Sequence, residues 1–256
     1  MSLDGRGAVV TGGGRGIGEA VALALAQAGC SVVVAARSTD QIEAVAGALV
    51  AAGHEAWAVP CDVSDESAVA ELARRANEHL DSVDILVNNA GVAPTAPIAR
   101  LTLDMWNKAL GVNATGTFLC TRAFLPAMME RGWGRVVNVS SVAGLFGAKY
   151  MGAYAASKHA VMGFTRSVAP EAAEHGATVN AVCPGFVDTP MTDDGIRMIS
   201  ERSGKSREEA VEAILAETPQ TRLIRPDEVA RAVLDLCSDA AAETHGEAIV
   251  LDGAPS

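Results

Sequence analysis

The chain predicts a doubly wound α/β fold, a parallel sheet of about seven strands with helices on both faces. Three observations predict it. Short β-branched runs alternate with longer, Ala-rich helical patterns along the whole chain. The strand runs are almost continuously apolar, as strands covered on both faces must be. Near the N-terminus, a strand runs through a glycine turn directly into a helix, half of a βαβ unit.

The elements follow in order. Ala8-Val9-Val10-Thr11 reads as a short buried strand. It enters Gly12-Gly13-Gly14-Arg15-Gly16-Ile17-Gly18 and then an apolar helical run to about Ala28. Further strands are predicted near 31–35, 56–60, 84–88, 135–140, 178–183 and 247–251, and helices over 40–52, 66–79, 102–131, 154–174 and 226–238. Pro170 falls inside the 154–174 pattern, where a proline costs about 3 kcal/mol and one hydrogen bond, so a kink or break is expected near Val168–Pro170. Residues 187–222 break the alternation. The stretch is long, polar and charged, and a connection of that length in a compact domain is usually functional. Within it, Arg207 to Glu217 carries Val211, Ile214 and Leu215 at helical spacing, so the stretch reads as a substrate-binding lid on one domain spanning residues 1–256.

Composition narrows the function. With 256 residues, 49% of them hydrophobic, the chain can bury one sizeable core. A net charge of −11 lacks the basic footprint that nucleic acid requires. No apolar run has membrane-spanning length, and no signal peptide is recognisable. The five cysteines, Cys30, Cys61, Cys120, Cys183 and Cys237, lack zinc or disulfide spacing and suit a reducing cytoplasm. The five histidines form no ligand cluster, and no metal is expected.

Two constellations carry chemistry. Glycines at 12, 16 and 18 let the backbone bend tightly beside a pyrophosphate, whose charge is favoured by the free N–H groups of a helix N-terminus. The plain alternative is a flexible glycine loop. Tyr154 and Lys158 stand four apart, one turn along a helix face. An ammonium beside a phenol favours the phenolate, which would make Tyr154 a proton donor or acceptor near neutral pH. The plain alternative there is a solvated helix face. Ser141, before a glycine-containing turn, offers a hydroxyl for the same reacting oxygen.

Together these residues resemble the short-chain dehydrogenase/reductase family over about residues 5 to 253. Gly12-x-x-x-Gly16-x-Gly18, Asp62 in Cys-Asp-Val, Asn88-Asn89-Ala90-Gly91, Asn113, Ser141, Tyr154, Lys158 and Pro184-Gly185 with Thr189 occur in that family's order. The resemblance implies a Rossmann-type fold and hydride transfer between a nicotinamide and a carbonyl carbon. It implies that Tyr154 moves the proton, that Lys158 lowers the Tyr154 pKa and holds the nicotinamide ribose, that Ser141 binds the substrate oxygen, and that Asn113 supports a proton relay to Lys158. Ser140 is expected on the other face of the strand. The implied cofactor contacts are Gly12, Arg15, Gly16, Ile17, Gly18, Arg37, Asp62, Val63, Asn89, Ala90, Gly91, Tyr154, Lys158, Pro184, Gly185, Val187 and Thr189. For Asp62 an exposed loop residue or a helix cap is the rival. Tyr150 is a candidate pocket wall or simply packed.

The second strand ends at Ala36-Arg37-Ser38, with no carboxylate at Ala36 to repel a 2′-phosphate and a guanidinium next to it. NADP(H) is therefore expected over NAD(H), with Arg15 as a second positive charge; in the alternative, Arg37 is a solvated surface residue and Asp40 supplies the ribose contact. The region from Val187 to Arg225 resembles that of 3-oxoacyl and polyketide ketoreductases. Ala93 and Ala143 stand where 3-hydroxybutyrate dehydrogenases of the family would carry polar groups. The expected substrate is a small carbonyl or alcohol, with a carrier- or CoA-linked acyl chain as one form of it. An NAD-linked secondary-alcohol or 3-hydroxyacid dehydrogenase is the alternative, and a non-catalytic cofactor-binding regulator a third. A homotetramer paired through helices 102–131 and 154–174 is expected by resemblance, with no nucleic-acid or membrane partner.

Overall fold

The computed structural model describes residues 2–216 and 218–253, so Glu217, the last residue of the predicted lid helix, lies outside it. Seven strands form one sheet: β1 (Gly7–Thr11), β2 (Ser31–Ala36), β3 (Ala56–Pro60), β4 (Ile85–Asn88), β5 (Gly134–Val139), β6 (Ala177–Pro184) and β7 (Ala248–Leu251). Their order is β3-β2-β1-β4-β5-β6-β7, and every pairing is parallel. The order reverses between β1 and β4, so the crevice for a ligand opens there, beyond the strands' carboxyl ends.

The period-two alternation of the strands builds two separate cores. Ala8, Val10, Val32, Val34, Ile85 and Val87 face α1 (Gly16–Gln27), α2 (Thr39–Ala51) and α9 (Pro226–Cys237). Val9, Val33, Leu86, Val136 and Val179 face α3 (Glu66–His79), α5 (Gly116–Glu130) and α6 (Gly152–Ala173). Asp65 caps α3, accepting from the N–H groups of Ser67 and Ala68 at 2.8 and 3.1 Å. Asp62 is therefore not the helix cap; it closes a turn by accepting from Ser64 N at 3.0 Å.

Three expectations are corrected. The predicted helix at 102–131 is α4 (Leu103–Ala109), a π-helical turn (Leu110–Thr115) and α5 in direct succession. A π-turn adds one residue per loop and rotates the helix beyond it, which a 3.6-residue pattern does not register. The stretch 187–222 holds two helices, α7 (Pro190–Ser203) and α8 (Arg207–Leu215), where one was expected. Finally, α6 does not break at Val168–Pro170 but continues to Ala173. Pro170 stands in its last turns, where few bonds depend on it, and its own carbonyl still accepts from Glu174 N at 3.3 Å.

Since the backbone at Pro170 is helical, Pro170→Ala restores a main-chain donor without a new clash. Unfolding free energy should rise by about 1–2 kcal/mol, the helix gain exceeding the lost stiffness of the unfolded chain. Urea denaturation checks this; a variant less stable than the parent contradicts it.

Candidate active site

The glycine turn is shaped by crowding. Gly12 has φ +63°, and a Cβ there would stand 2.8 Å from Ala90 Cα. A Cβ on Gly18 would lie 2.2 Å from the Gly12 carbonyl oxygen. The turn is held to the end of β4 by Asn89, whose Nδ2 donates to the carbonyls of Thr11 and Gly12, both at 3.0 Å. Arg15 occupies the N-cap of α1 without capping it through its side chain, so the first turn's N–H groups face the crevice without a side-chain partner.

That crevice, of about 240 Å³, is lined by the glycine turn, Arg15, Ile17, Ala36, Arg37, Asp62, Val63, Asn89, Ala90, Gly91 and Thr189. Sequence reasoning had not singled out Ser38 and Gln41, which also line it. They come after the arginine at the start of a helix and carry no motif of their own. Of the expected contacts, Gly18, Tyr154, Lys158, Pro184, Gly185 and Val187 are not among its lining residues; Pro184 ends β6, Gly185 follows it, and Val187 forms a single bridge with Ile224. A backbone turn rich in free N–H groups at one end and a guanidinium at the other fit a dinucleotide with its phosphates on the turn. Arg37 Nη1 lies 3.8 Å from Asp62 Oδ2 across this crevice, with both side chains substantially exposed. A larger hollow of about 370 Å³, between α6 and residues 245–248, contains none of the predicted site residues.

The second constellation adjoins the crevice. A Cβ built on Gly91 would lie 3.7 Å from Lys158 Nζ and 3.4 Å from Asn113 Oδ1. Lys158 is buried, donates to the Val139 carbonyl at 2.7 Å and, among the described residues, forms no ion pair. Burial without a counter-charge pulls its pKa down from 10.5 to about 8. The net lowering of the Tyr154 pKa expected beside Lys158 is not seen. Burial pushes the Tyr154 phenol up from its ordinary value, and the hydrogen bond with Ser141 offsets only part of that. The ammonium stands 5.9 Å from the Tyr154 ring centroid, with its hydrogen bond directed to Val139 instead.

Ser141 is the second residue past β5, caps the short turn Val142–Gly144 by accepting from Ala143 N at 3.1 Å, and donates to the Pro184 carbonyl at 3.3 Å. Ser140 turns the other way, as expected, and donates to the Lys158 carbonyl at 3.2 Å. Asn113 lies in the π-turn and is buried. Its amide bonds both main-chain groups of Val92, at 2.8 and 2.9 Å, and donates to Ser157 Oγ at 2.8 Å. Ser157 in turn donates to the Tyr154 carbonyl at 2.7 Å. Asn113 thus fixes the helix turn that carries Tyr154, through a serine that sequence reasoning passed over. Tyr150 is exposed and has φ +66°, the only non-glycine positive φ among the described residues; its carbonyl accepts from Ala96 N at 2.9 Å.

The family model for short chain dehydrogenases matches residues 6–200. The chain is 39% identical to a 3-oxoacyl-[acyl-carrier-protein] reductase of Synechocystis over 98% of its length and 97% of that protein's. It is 36% identical to a D-beta-hydroxybutyrate dehydrogenase of Rhizobium meliloti, over 96% of both. The solved structure of a variant actinorhodin polyketide ketoreductase with NADPH superposes with a TM-score of 0.93 at 38% identity, covering 99% of this chain and 98% of that one. The chain belongs to the short-chain dehydrogenase/reductase family. It is an oxidoreductase of the alcohol–carbonyl class that uses a nicotinamide cofactor. Among the described residues no helix is long and apolar enough to cross a membrane, and no cluster of three metal-ligating side chains occurs.

The depressed Lys158 pKa makes stability depend on pH. Between about 8 and 10.5 the unfolded chain holds a proton that the folded one has released, so Lys158's contribution to unfolding free energy rises with pH across that window. Its full width is on the order of 3 kcal/mol. The parent should therefore gain on Lys158→Met as pH is raised from about 7.5 to about 10 in urea titrations. A flat difference contradicts the buried, unpaired ammonium.

Proposed function

We propose that the protein reduces a ketone on a 3-oxoacyl or polyketide-type chain with NADPH. The observation that carries this reading is the juncture at Gly91. There, the wall of the dinucleotide crevice comes close to Lys158 and to Asn113, and Asn113 holds the turn bearing Tyr154 through Ser157. A nicotinamide bound in that crevice would supply hydride to the carbonyl carbon. As the new C–H bond forms, the carbonyl π pair moves onto oxygen, and the Tyr154 O–H bond breaks to give the alcohol O–H. Ser141 donates to the same oxygen and steadies its growing charge. The buried Lys158 ammonium stabilises the phenolate left behind. Burial holds the phenol above its ordinary pKa, so it carries its proton near neutral pH.

The preference for NADPH rests on the end of β2. Ala36 presents no carboxylate, Arg37 lines the crevice, and Ser38 stands at the N-cap of α2 without using its hydroxyl on that helix. These groups suit a 2′-phosphate. The competing reading, NAD-linked oxidation of a secondary alcohol, draws on the similarity to hydroxybutyrate dehydrogenases and on Asp62, which partly neutralises Arg37. We assign α7 and α8 to a lid over the substrate, since Met191 of α7 reaches the crevice and Met198 is exposed. The similarity to carrier-dependent reductases favours a carrier-linked acyl chain. The exposed Phe118 on α5, edge-on to Phe164 of α6, favours pairing of these helices in a homotetramer. Five free, buried cysteines are consistent with the cytoplasm.

Tyr154→Phe should lower kcat ~10²–10⁴-fold while cofactor affinity stays nearly unchanged. Activity within a few-fold of the parent removes Tyr154 from the mechanism. In a comparison of cofactors, the parent should favour NADPH. Arg37→Ala should cut kcat/KM with NADPH ~10–100-fold, the worth of a charge-assisted hydrogen bond, and leave NADH almost untouched. A parent preference for NADH, unmoved by the substitution, selects the competing reading.

A further inference from the structure

Gln220 has no place in the chemistry above, yet it is among the most fully engaged polar side chains in the molecule. It is 6% exposed. Its Oε1 accepts from Phe186 N at 2.7 Å, and its Nε2 donates to the carbonyls of Phe186 and Arg222, both at 3.1 Å. Phe186 lies just beyond the end of β6, where β5 no longer offers a strand to pair with. The amide stands in for that strand. Its plane is flanked by glycines: a Cβ on Gly185 would lie 2.2 Å from Oε1, and one on Gly253 would lie 3.4 Å from Nε2. Any other residue at 185 would collide with the amide.

The same place is the root of the 187–222 segment. Its outgoing and returning limbs meet in a parallel bridge between Val187 and Ile224. Ile224 N donates to the Phe186 carbonyl at 2.9 Å, and Asp188 N donates to the Ile224 carbonyl at 2.8 Å. Three residues past Phe186, Thr189 stands at the N-cap of α7 and lies close to the glycine turn, its Cγ2 3.1 Å from a Cβ built on Gly16.

Building on the dinucleotide reading above, we propose that Gln220 is a positioning residue. It clasps the root of the lid to the end of β6, and so sets the backbone from Phe186 to Thr189 that borders the nicotinamide end of the crevice. The clasp couples lid position to nicotinamide placement and leaves the adenosine end, at Arg37 and Asp62, independent of it.

The test compares binding of NADP⁺ with binding of 2′-phospho-ADP-ribose, which lacks the nicotinamide, by calorimetry. NAD⁺ and ADP-ribose serve if the parent prefers NAD⁺. Gln220→Leu keeps the volume and removes all three bonds. It should weaken the full cofactor about fivefold or more and the fragment less than twofold, with a matching fall in kcat. Gln220→Glu keeps the acceptor but faces a carboxylate toward two carbonyls. Its cofactor-to-fragment ratio should return toward the parent as pH falls and the protonated carboxyl can donate again. If Gln220→Leu does not fold, the glutamate variant decides. Equal weakening of cofactor and fragment, or no weakening of either, overturns the clasp. A parent that binds neither NADP⁺ nor NAD⁺ overturns the dinucleotide reading and the clasp with it.

Discussion

The parallel pairing of seven strands is the constraint on which everything else depends. A parallel sheet places all its strand carboxyl ends along one edge, and the reversal of order between β1 and β4 opens a crevice there. Six of the seven strands, β1 to β6, then deliver groups to that edge. β1 gives the glycine turn, β2 gives Arg37, β3 gives Asp62, β4 gives Asn89 to Gly91, β5 gives Ser141, and β6 gives Pro184 and the backbone on to Thr189. These groups are scattered over nearly 180 residues of chain and meet because the sheet allows them no other place. The helices bury the two apolar faces, and α6 adds Tyr154 and Lys158 from beside β6.

Charge at this edge is held under tension. An ammonium buried without an acid gives up part of its affinity for a proton, and a buried phenol holds its own more tightly. In the free protein the two shifts keep both groups closer to neutrality. The local hydrogen bonds are fully committed to position rather than to neutralisation. Val139 takes the lysine, Pro184 takes Ser141, and Asn113 ties Val92 to the Tyr154 turn through Ser157. Hydrogen bonds that place these groups before ligand arrives lower the cost of ordering them during reaction.

Much of this was legible in the sequence because it rests on periodicity and on residue types with few other uses. Every strand appears where its apolar run predicts it, the glycine turn sits where its spacing requires, and Ser140 and Ser141 face opposite ways, as alternation demands. The features that escaped depend on geometry that residue type does not encode. The π-turn around Asn113 changes helical rise without changing the apolar pattern. Pro170 reads as a break, yet the helix end tolerates it. The polar α7 has no strong apolar stripe to announce it. The Tyr154–Lys158 spacing places the two groups on one helix face, but spacing says nothing of burial, and burial decides the direction of both pKa shifts. Ser157 and Gln220 act through backbone atoms, contacts that no side-chain motif records.

The central claim is that this edge transfers a hydride directly between a nicotinamide and a carbonyl carbon. Reduction of a 3-oxoacyl thioester with NADPH deuterated at C4 of the nicotinamide tests it most directly, with the product examined by mass spectrometry and NMR. The account predicts one deuterium from one face of the cofactor, on the carbinol carbon of a single alcohol enantiomer, with none exchanged into water. Label appearing in solvent, or an absence of turnover with this and every other ketone offered, would contradict it.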